Sequence, residues 1–227
     1  MLAEWDKLPD NMQNDAVKKY YLILAKKRKS LVIKRLFDIS ISACLLVLFF
    51  PIFIILAIAI KADSPGPIFF RQTRVTQYGK KFRIFKFRTM VANAEKLGAQ
   101  VTAKGDCRIT RIGRIIRKYR LDELCQLIDI LRGTMTFVGT RPEVPKYVAQ
   151  YTDEMLATLL LPAGVTSEAS ILYKDEERLL ENAEDVDEIY IREVLPGKMS
   201  YNLNALRNFS LLRELKVMLK TVGAVLQ

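Results

Sequence analysis

The chain has 227 residues, half of them hydrophobic, with 36 Lys or Arg against 25 Asp or Glu and a net charge of +11. It contains no histidine, which excludes a histidine general base, a Ser-His-Asp triad and a histidine-ligated zinc site. Cys44, Cys107 and Cys125 are odd in number and scattered, so they form neither a CxxC motif nor a disulfide framework, and a reducing compartment is expected. The length accommodates one globular domain plus a membrane element, and the basic balance favours anionic lipid, nucleic acid or phosphorylated small molecules.

The first 30 residues are polar and charged and show no cleavable signal peptide. Residues 10–30 read as a polar, basic helix ending in Lys26-Lys27-Arg28-Lys29, either a solvated helix or a juxtamembrane arm for anionic headgroups. Residues 1–33 are assigned to this basic arm.

Ile39–Ile60 is 22 residues without a charge, about 33 Å as a straight helix against a hydrocarbon core of about 30 Å. Pro51 sits mid-segment, where it removes a backbone donor and kinks a helix. Cations flank both ends: Lys26 to Lys29, Lys34 and Arg35 before, Lys61, Arg71 and Arg74 after. Both flanks meet the cytoplasmic preference of cations only if the helix enters, bends at Pro51 and returns. On these grounds alone, spanning and re-entrant arrangements are evenly matched.

Asp63-Ser64-Pro65-Gly66-Pro67 is a stiff turn out of this segment. Ile68–Val75 and Phe82–Arg88 read as strands joined through Gln77-Tyr78-Gly79-Lys80. Ile109–Tyr119 is an amphipathic helix, with Ile109, Ile112, Ile116 and Tyr119 as its stripe. Asp122 opens a further helix up to Leu131, and Gly133 stops it. Thr134–Val138 reads as a short strand before the Gly139-Thr140-Arg141-Pro142 loop. The remainder reads as mostly helical, broken at Pro162-Ala163-Gly164 and at Pro196-Gly197, with an amphipathic basic tail from Leu211 to Leu226.

Charge is unevenly placed. Arg71 to Arg120 holds fifteen Lys or Arg against two acids, Glu95 and Asp106, and so exceeds the net charge of the whole chain. From Lys174 to Glu193, nine acids face three cations, which reads as a solvated helical surface.

An isolated Asp122-Glu123 pair is most simply a helix cap with a first-turn acid. Here it follows a basic helix, and a helix N-terminus is itself an anion site. A carboxylate there stays ionised and can attack phosphorus or hold Mg²⁺. Gln126 and Asp129 share the face of Asp122. Lys86 and Arg88 on one strand, Arg117 before the acidic pair and Arg141 in a Pro-bounded loop are candidate phosphate ligands. Solvation accounts for any one of them, but poorly for fifteen cations in fifty residues.

Several segments, in this order, resemble the small monotopic polyprenyl-phosphate phosphoglycosyl transferases of bacteria. They are Lys34-Arg35-Leu36-Phe37-Asp38, the Pro-broken apolar segment, Pro65-Gly66-Pro67-Ile68-Phe69-Phe70-Arg71-Gln72, Lys86-Phe87-Arg88-Thr89-Met90, Arg108-Ile109-Thr110-Arg111-Ile112-Gly113, Leu121-Asp122-Glu123-Leu124-Cys125-Gln126-Leu127 and Val138-Gly139-Thr140-Arg141-Pro142. The resemblance covers about residues 31–220, and its specificity lies in the order and spacing of the motifs.

The resemblance implies a mostly helical α+β protein. Residues 34–62 would form a membrane-embedded re-entrant helix broken near Pro51. Residues 63–227 would form a cytosolic catalytic domain with a short β-hairpin and amphipathic interfacial helices. It implies an enzyme on the cytoplasmic face of the bacterial inner membrane that moves a sugar-1-phosphate from a UDP-sugar to undecaprenyl phosphate and releases UMP. Asp122 would be the nucleophile that carries the phosphosugar covalently, Glu123 would bind Mg²⁺ beside it, and Lys86, Arg88, Arg117 and Arg141 would hold phosphates. Membrane lipids are expected partners, nucleic acid is not, and homodimerisation is left open.

Three positions depart from the family pattern: Cys125 where Pro is common, Thr140 before Arg141 where many members have Pro, and Phe50 before Pro51 where Ser is frequent. There is no multi-span region before residue 31, as in the minimal catalytic form. Residues Glu168 to Asn208 are expected to shape the sugar end of the pocket. A membrane-tethered basic nucleic-acid- or lipid-binding protein is the alternative; it explains the charge but leaves Asp122-Glu123 idle.

Overall fold

The computed structural model describes residues 2–94, 106–173 and 185–226. Two 3₁₀ turns lead into α1 (Asp15–Ala25), which starts where the Asn14 side chain accepts a hydrogen bond from the Val17 amide at 2.9 Å. Val17, Tyr20, Tyr21 and Leu24 recur at helical spacing and are buried against Leu156, Leu160, Leu203 and Phe209 in the largest apolar cluster. The N-terminal segment is therefore part of the core, not a solvated helix. The expected boundary at residue 33 falls inside α2 (Arg28–Leu48), which is continuous.

α2 meets α3 (Phe50–Asp63) at a 60° bend. Pro51 lies in the first turn of α3, where a missing N–H costs no helical bond, so it starts the second limb. The backbone stays bonded through the bend: the Phe49 amide donates to Leu45 O at 2.8 Å and the Phe53 amide to Phe49 O at 3.0 Å. Among the described residues no single helix is long and apolar enough to cross a membrane; the bent pair together meets that test.

The α2 face that carries Leu31, Lys34, Asp38 and Ser42 is buried, whereas Leu36, Phe37, Val47 and Leu48 are exposed. β1 (Phe69–Val75) and β2 (Lys81–Phe87) form an antiparallel hairpin with Phe69 opposite Phe87. Its turn uses positive φ at Tyr78 and Gly79. α4 (Arg111–Lys118) follows, then a 3₁₀ turn over Leu121–Glu123 and α5 (Gln126–Arg132), which Gly133 ends at φ 82°. β3 (Met135–Val138), α6 (Pro145–Val148), β4 (Ala163–Thr166), α7 (Glu168–Leu172), α8 (Val186–Ile189), α9 (Leu195–Arg207) and α10 (Leu211–Leu226) complete the chain.

Three expectations are corrected. Asp122 does not open a continuous helix: the acidic pair lies in a 3₁₀ turn over Leu121–Glu123, set off from α4 by the left-handed Arg120 (φ 55°), and α5 starts only at Gln126. Pro162-Ala163-Gly164 is more than a break, since β4 begins at Ala163 and pairs parallel with β3, Met135 opposite Ala163. Four residues paired with a distant partner leave little local pattern. Pro196-Gly197 does not interrupt helix: Pro196 falls in the first turn of α9, behind a π-helical turn over Tyr190–Val194. The acidic stretch from Lys174 lies largely outside the described residues.

Polar residues of α2 lock it to the soluble elements. Arg35 donates to Ile130 O at 2.6 Å and Leu131 O at 2.8 Å, placing a cation on the carbonyl end of α5. Asp38 accepts from Thr136 Oγ1 at 2.6 Å. Lys34 Nζ reaches Val138 O at 2.9 Å and Glu214 Oε2 at 2.7 Å. α2 is thus tied to α5, β3 and α10.

Candidate active site

The site is built where β2 leaves the hairpin. The Thr110 amide donates to Thr89 O at 3.1 Å, and the Thr110 side chain caps α4 by accepting from the Gly113 amide at 3.0 Å. A Cβ on Gly113 would lie 2.0 Å from Thr89 O, so only glycine allows this approach. Asp63, the last residue of α3, accepts from the Ile112 amide at 2.9 Å. Hydrogen bonds from Thr110 and from that amide hold its carboxyl below the usual range. The bent pair therefore ends on the helix that leads to the acidic turn.

Arg120 then reverses the chain in a conformation that costs a non-glycine residue free energy. The result brings Asp122 and Glu123 beside Lys86 of β2 and Arg141 of the loop after β3. Lys86 Nζ lies 3.1 Å from Glu123 Oε1. Arg141 also donates to that oxygen, and its NH1 lies 3.4 Å from Glu123 Oε2. Burial pushes the Glu123 carboxyl upward, but Arg141 and Lys86 outweigh it and hold the group far below the usual carboxylate range.

Asp122 is the opposite case. Burial raises its carboxyl, and Lys86 and Arg117 offset only part of the rise. Among the described residues no side chain hydrogen-bonds its carboxylate. Arg117 donates Nε to Thr89 Oγ1 at 2.8 Å and faces Asp122 electrostatically. Lys86, Arg117, Arg141, Asp122 and Glu123 all line one cleft of about 1450 Å³. Leu45, Phe49, Leu127 and Phe137 line it too, as do Arg108, Lys118 and Arg120.

All six site residues read from the sequence line this cleft, five of them around the acidic turn and Arg88 toward the exit of α3. Arg88 is 5% exposed; NH1 donates to Pro65 O at 3.0 Å and NH2 to Ser64 O at 2.6 Å at the exit of α3, while its buried Nε has no partner among the described residues. Of the residues grouped with Asp122, Asp129 accepts from the Phe85 amide at 2.8 Å and so supports β2. Gln126 is 1% exposed, and neither its Oε1 nor its Nε2 has a partner. Cys125 is a buried core residue whose thiol burial pushes far up.

The basic block is not one free surface field. Arg74 donates to Gln72 Oε1 at 2.7 Å and Pro142 O at 3.2 Å, Arg108 pairs with Asp106 at 2.6 Å, and Arg71 donates to Arg83 O at 2.5 Å.

Sequence reasoning missed Glu143, which follows Arg141-Pro142. Its Oε1 accepts from Tyr190 OH at 2.6 Å and Lys198 Nζ at 3.3 Å, and its carbonyl accepts from the Val75 amide at 3.0 Å. This buried group fixes the loop that presents Arg141. Its adjacency to Arg141-Pro142 was the available signal.

No group of three or more Cys, Asp or Glu side chains among the described residues could cage a metal alone. The adjacent Asp122 and Glu123 fit the Mg²⁺ habit of taking one or two protein carboxylates and completing its shell with water and substrate phosphates.

The bent apolar pair stands beside a turn with two unequal carboxylates and the cations around them. The chain belongs to the bacterial sugar transferase family, whose family model matches residues 29–227. It is 35% identical over 197 residues to UDP-N-acetylgalactosamine-undecaprenyl-phosphate N-acetylgalactosaminephosphotransferase of Aeromonas hydrophila, covering 86% of this chain and 44% of that one. It is also 35% identical over 196 residues to UDP-glucose:undecaprenyl-phosphate glucose-1-phosphate transferase of Caulobacter vibrioides, covering 85% and 69%. A putative undecaprenyl-phosphate N-acetylgalactosaminyl 1-phosphate transferase of Bacillus subtilis is 38% identical over 135 residues, 60% of this chain and 75% of the relative. The chain thus spans less than half of the Aeromonas relative's length.

Proposed function

We propose that this chain transfers a sugar-1-phosphate from a UDP-sugar to undecaprenyl phosphate, releasing UMP, through a phosphosugar held covalently on Asp122. The observation that carries the reading is the inequality of the two acids. Glu123 is committed to Lys86 and Arg141, whereas Asp122 is close-set among cations with its carboxylate free of side-chain donors.

In the first step an Asp122 carboxylate oxygen forms a bond to the phosphorus that carries the sugar. The bond from that phosphorus to the bridging diphosphate oxygen breaks, and UMP leaves with the electron pair. A raised carboxyl pKa makes the ionised group a better nucleophile, and Lys86, Arg117 and Arg141 offset repulsion between two anions. In the second step a phosphate oxygen of the lipid attacks the same phosphorus. The acyl–phosphate bond breaks, the Asp122 carboxylate is restored, and the sugar ends on a lipid diphosphate. Glu123 and Asp122 would hold Mg²⁺, which supplies charge neutralisation at the diphosphate.

The bent pair supports a monotopic placement. The apolar part of α2, Ile39–Leu48, is about 15 Å long and that of α3 about 16 Å, each near half of a hydrocarbon core of about 30 Å. With cations at both ends, the pair is a re-entrant limb that enters and leaves the cytoplasmic face of the bacterial inner membrane.

UMP release by the protein in nanodiscs, with Mg²⁺, undecaprenyl phosphate and one UDP-sugar at a time, tests the reading. Lipid- and metal-dependent release with one sugar supports it and names the donor. No release across a broad panel of donors counts against it.

A further inference from the structure

The cleft at Asp122 is strongly asymmetric. Leu45, Phe49, Leu127, Phe137 and Ala224 give it an apolar limb, contributed by α2, α5, β3 and α10. Lys34 and Glu214 join α2 to α10 near the start of each, and Thr166 joins β4 to Thr221 at 2.7 Å further along. Beyond the first tie both helices run on to residues that line the cleft.

We infer that this limb, between the far ends of α2 and α10, holds the hydrocarbon chain of the polyprenyl acceptor and delivers its phosphate to Asp122. The inference rests on the reaction proposed above and adds where the second substrate lies and how it arrives. Three observations choose this occupant. The wall is apolar, whereas Lys86, Arg117 and Arg141 stand at the acidic turn; a long hydrocarbon with one anionic head matches that order, and a nucleotide sugar does not. The flanking helices expose Val47, Leu48, Leu219 and Val222, so the limb is bordered by surface suited to hydrocarbon. Gln126, one turn after Asp122, buries a carboxamide without a partner, and an arriving phosphate oxygen supplies the acceptor that its Nε2 lacks.

The test separates the two chemical steps. Leu45→Trp and Ala224→Trp fill the limb without touching the acidic turn. In nanodiscs, both variants are expected to keep the stoichiometric UMP burst with a UDP-sugar alone. Their kcat/KM for undecaprenyl phosphate falls at least about tenfold, while that for a ten-carbon prenyl phosphate changes less than about twofold. Unchanged undecaprenyl phosphate kinetics, or equal losses with both acceptors, overturns the inference. A variant that loses the burst is replaced by Ala224→Cys, with maleimide labelling at that position read by peptide mass spectrometry. Undecaprenyl phosphate is expected to slow the labelling and a UDP-sugar is not; no protection by the lipid overturns the inference. Absence of any burst in the unaltered protein would instead remove the covalent reaction, while the labelling still reports on the limb.

Discussion

Asp122 and Glu123 are adjacent in the chain and sit in opposite electrostatic settings: Lys86 and Arg141 bind Glu123 directly, while Asp122 faces Lys86 and Arg117 without a side-chain hydrogen bond. Burial raises Asp122, whereas the two cations overcome burial at Glu123. One acid is thereby held as a fixed anion, and the other remains available for chemistry.

Asp122→Asn removes the attacking oxygen anion with little change of shape. Turnover is expected to fall at least about 10⁴-fold, with membrane association unchanged, because loss of a covalent nucleophile removes a whole step. Radiolabelled transfer and flotation with liposomes measure the two quantities.

Activity should have an acid limb set by Asp122. Its raised carboxyl must lose a proton before attack, so kcat/KM rises as pH climbs through a value above that of an unperturbed aspartate. Lys86 favours the ionised form, so Lys86→Met should move the limb to higher pH. Stability follows a different sign: Glu123 is depressed, so its contribution is complete above about pH 4.5 and is lost only as pH falls through its folded value. Rate profiles and pH-dependent melting distinguish the two acids.

Arg88 tests the difference between sequence order and spatial role. It donates to Ser64 O and Pro65 O, so Arg88→Met is expected to cost about 2–4 kcal/mol, seen as a lower Tm. In protein that remains folded, KM for the UDP-sugar should stay within about twofold. A large rise in KM with unchanged Tm would instead make Arg88 a phosphate ligand.

Gly113→Ala places a Cβ 2.0 Å from the Thr89 carbonyl oxygen. The backbone there is fixed by Thr110, so α4 must shift, at a cost of about 1–3 kcal/mol. Because Arg117 rides on α4, kcat should fall with Tm, and a thermal scan with steady-state kinetics checks both.

Cys125 should resist maleimide while exposed Cys107 reacts, since burial both hides the thiol and suppresses its thiolate. Peptide mass spectrometry after brief labelling reads the order.

The hairpin, α4, the stop at Gly133 and α10 were legible in the sequence because apolar periodicity and turn residues act locally. The meeting of Lys86, Asp122, Glu123 and Arg141 was legible only through the resemblance, since nothing local links residue 86 to residue 141. β4 was hidden because its partner is distant. The packing of α1 was hidden because Lys18, Lys19 and the Lys26-Lys27-Arg28-Lys29 run after it obscure the Val17, Tyr20, Tyr21 and Leu24 stripe. The bonds of Arg88 to Ser64 O and Pro65 O were not legible, because a cation that caps a helix exit and one that holds phosphate look alike in one dimension.

The central claim is tested most directly by mapping the covalent species. The nanodisc-held protein, given a productive UDP-sugar without lipid acceptor, should release about one UMP per chain and gain the mass of one sugar phosphate on the peptide containing Asp122. Undecaprenyl phosphate added afterwards should remove that mass. UMP formed only when both substrates are present, with no adduct at any time, would contradict the account and indicate direct transfer.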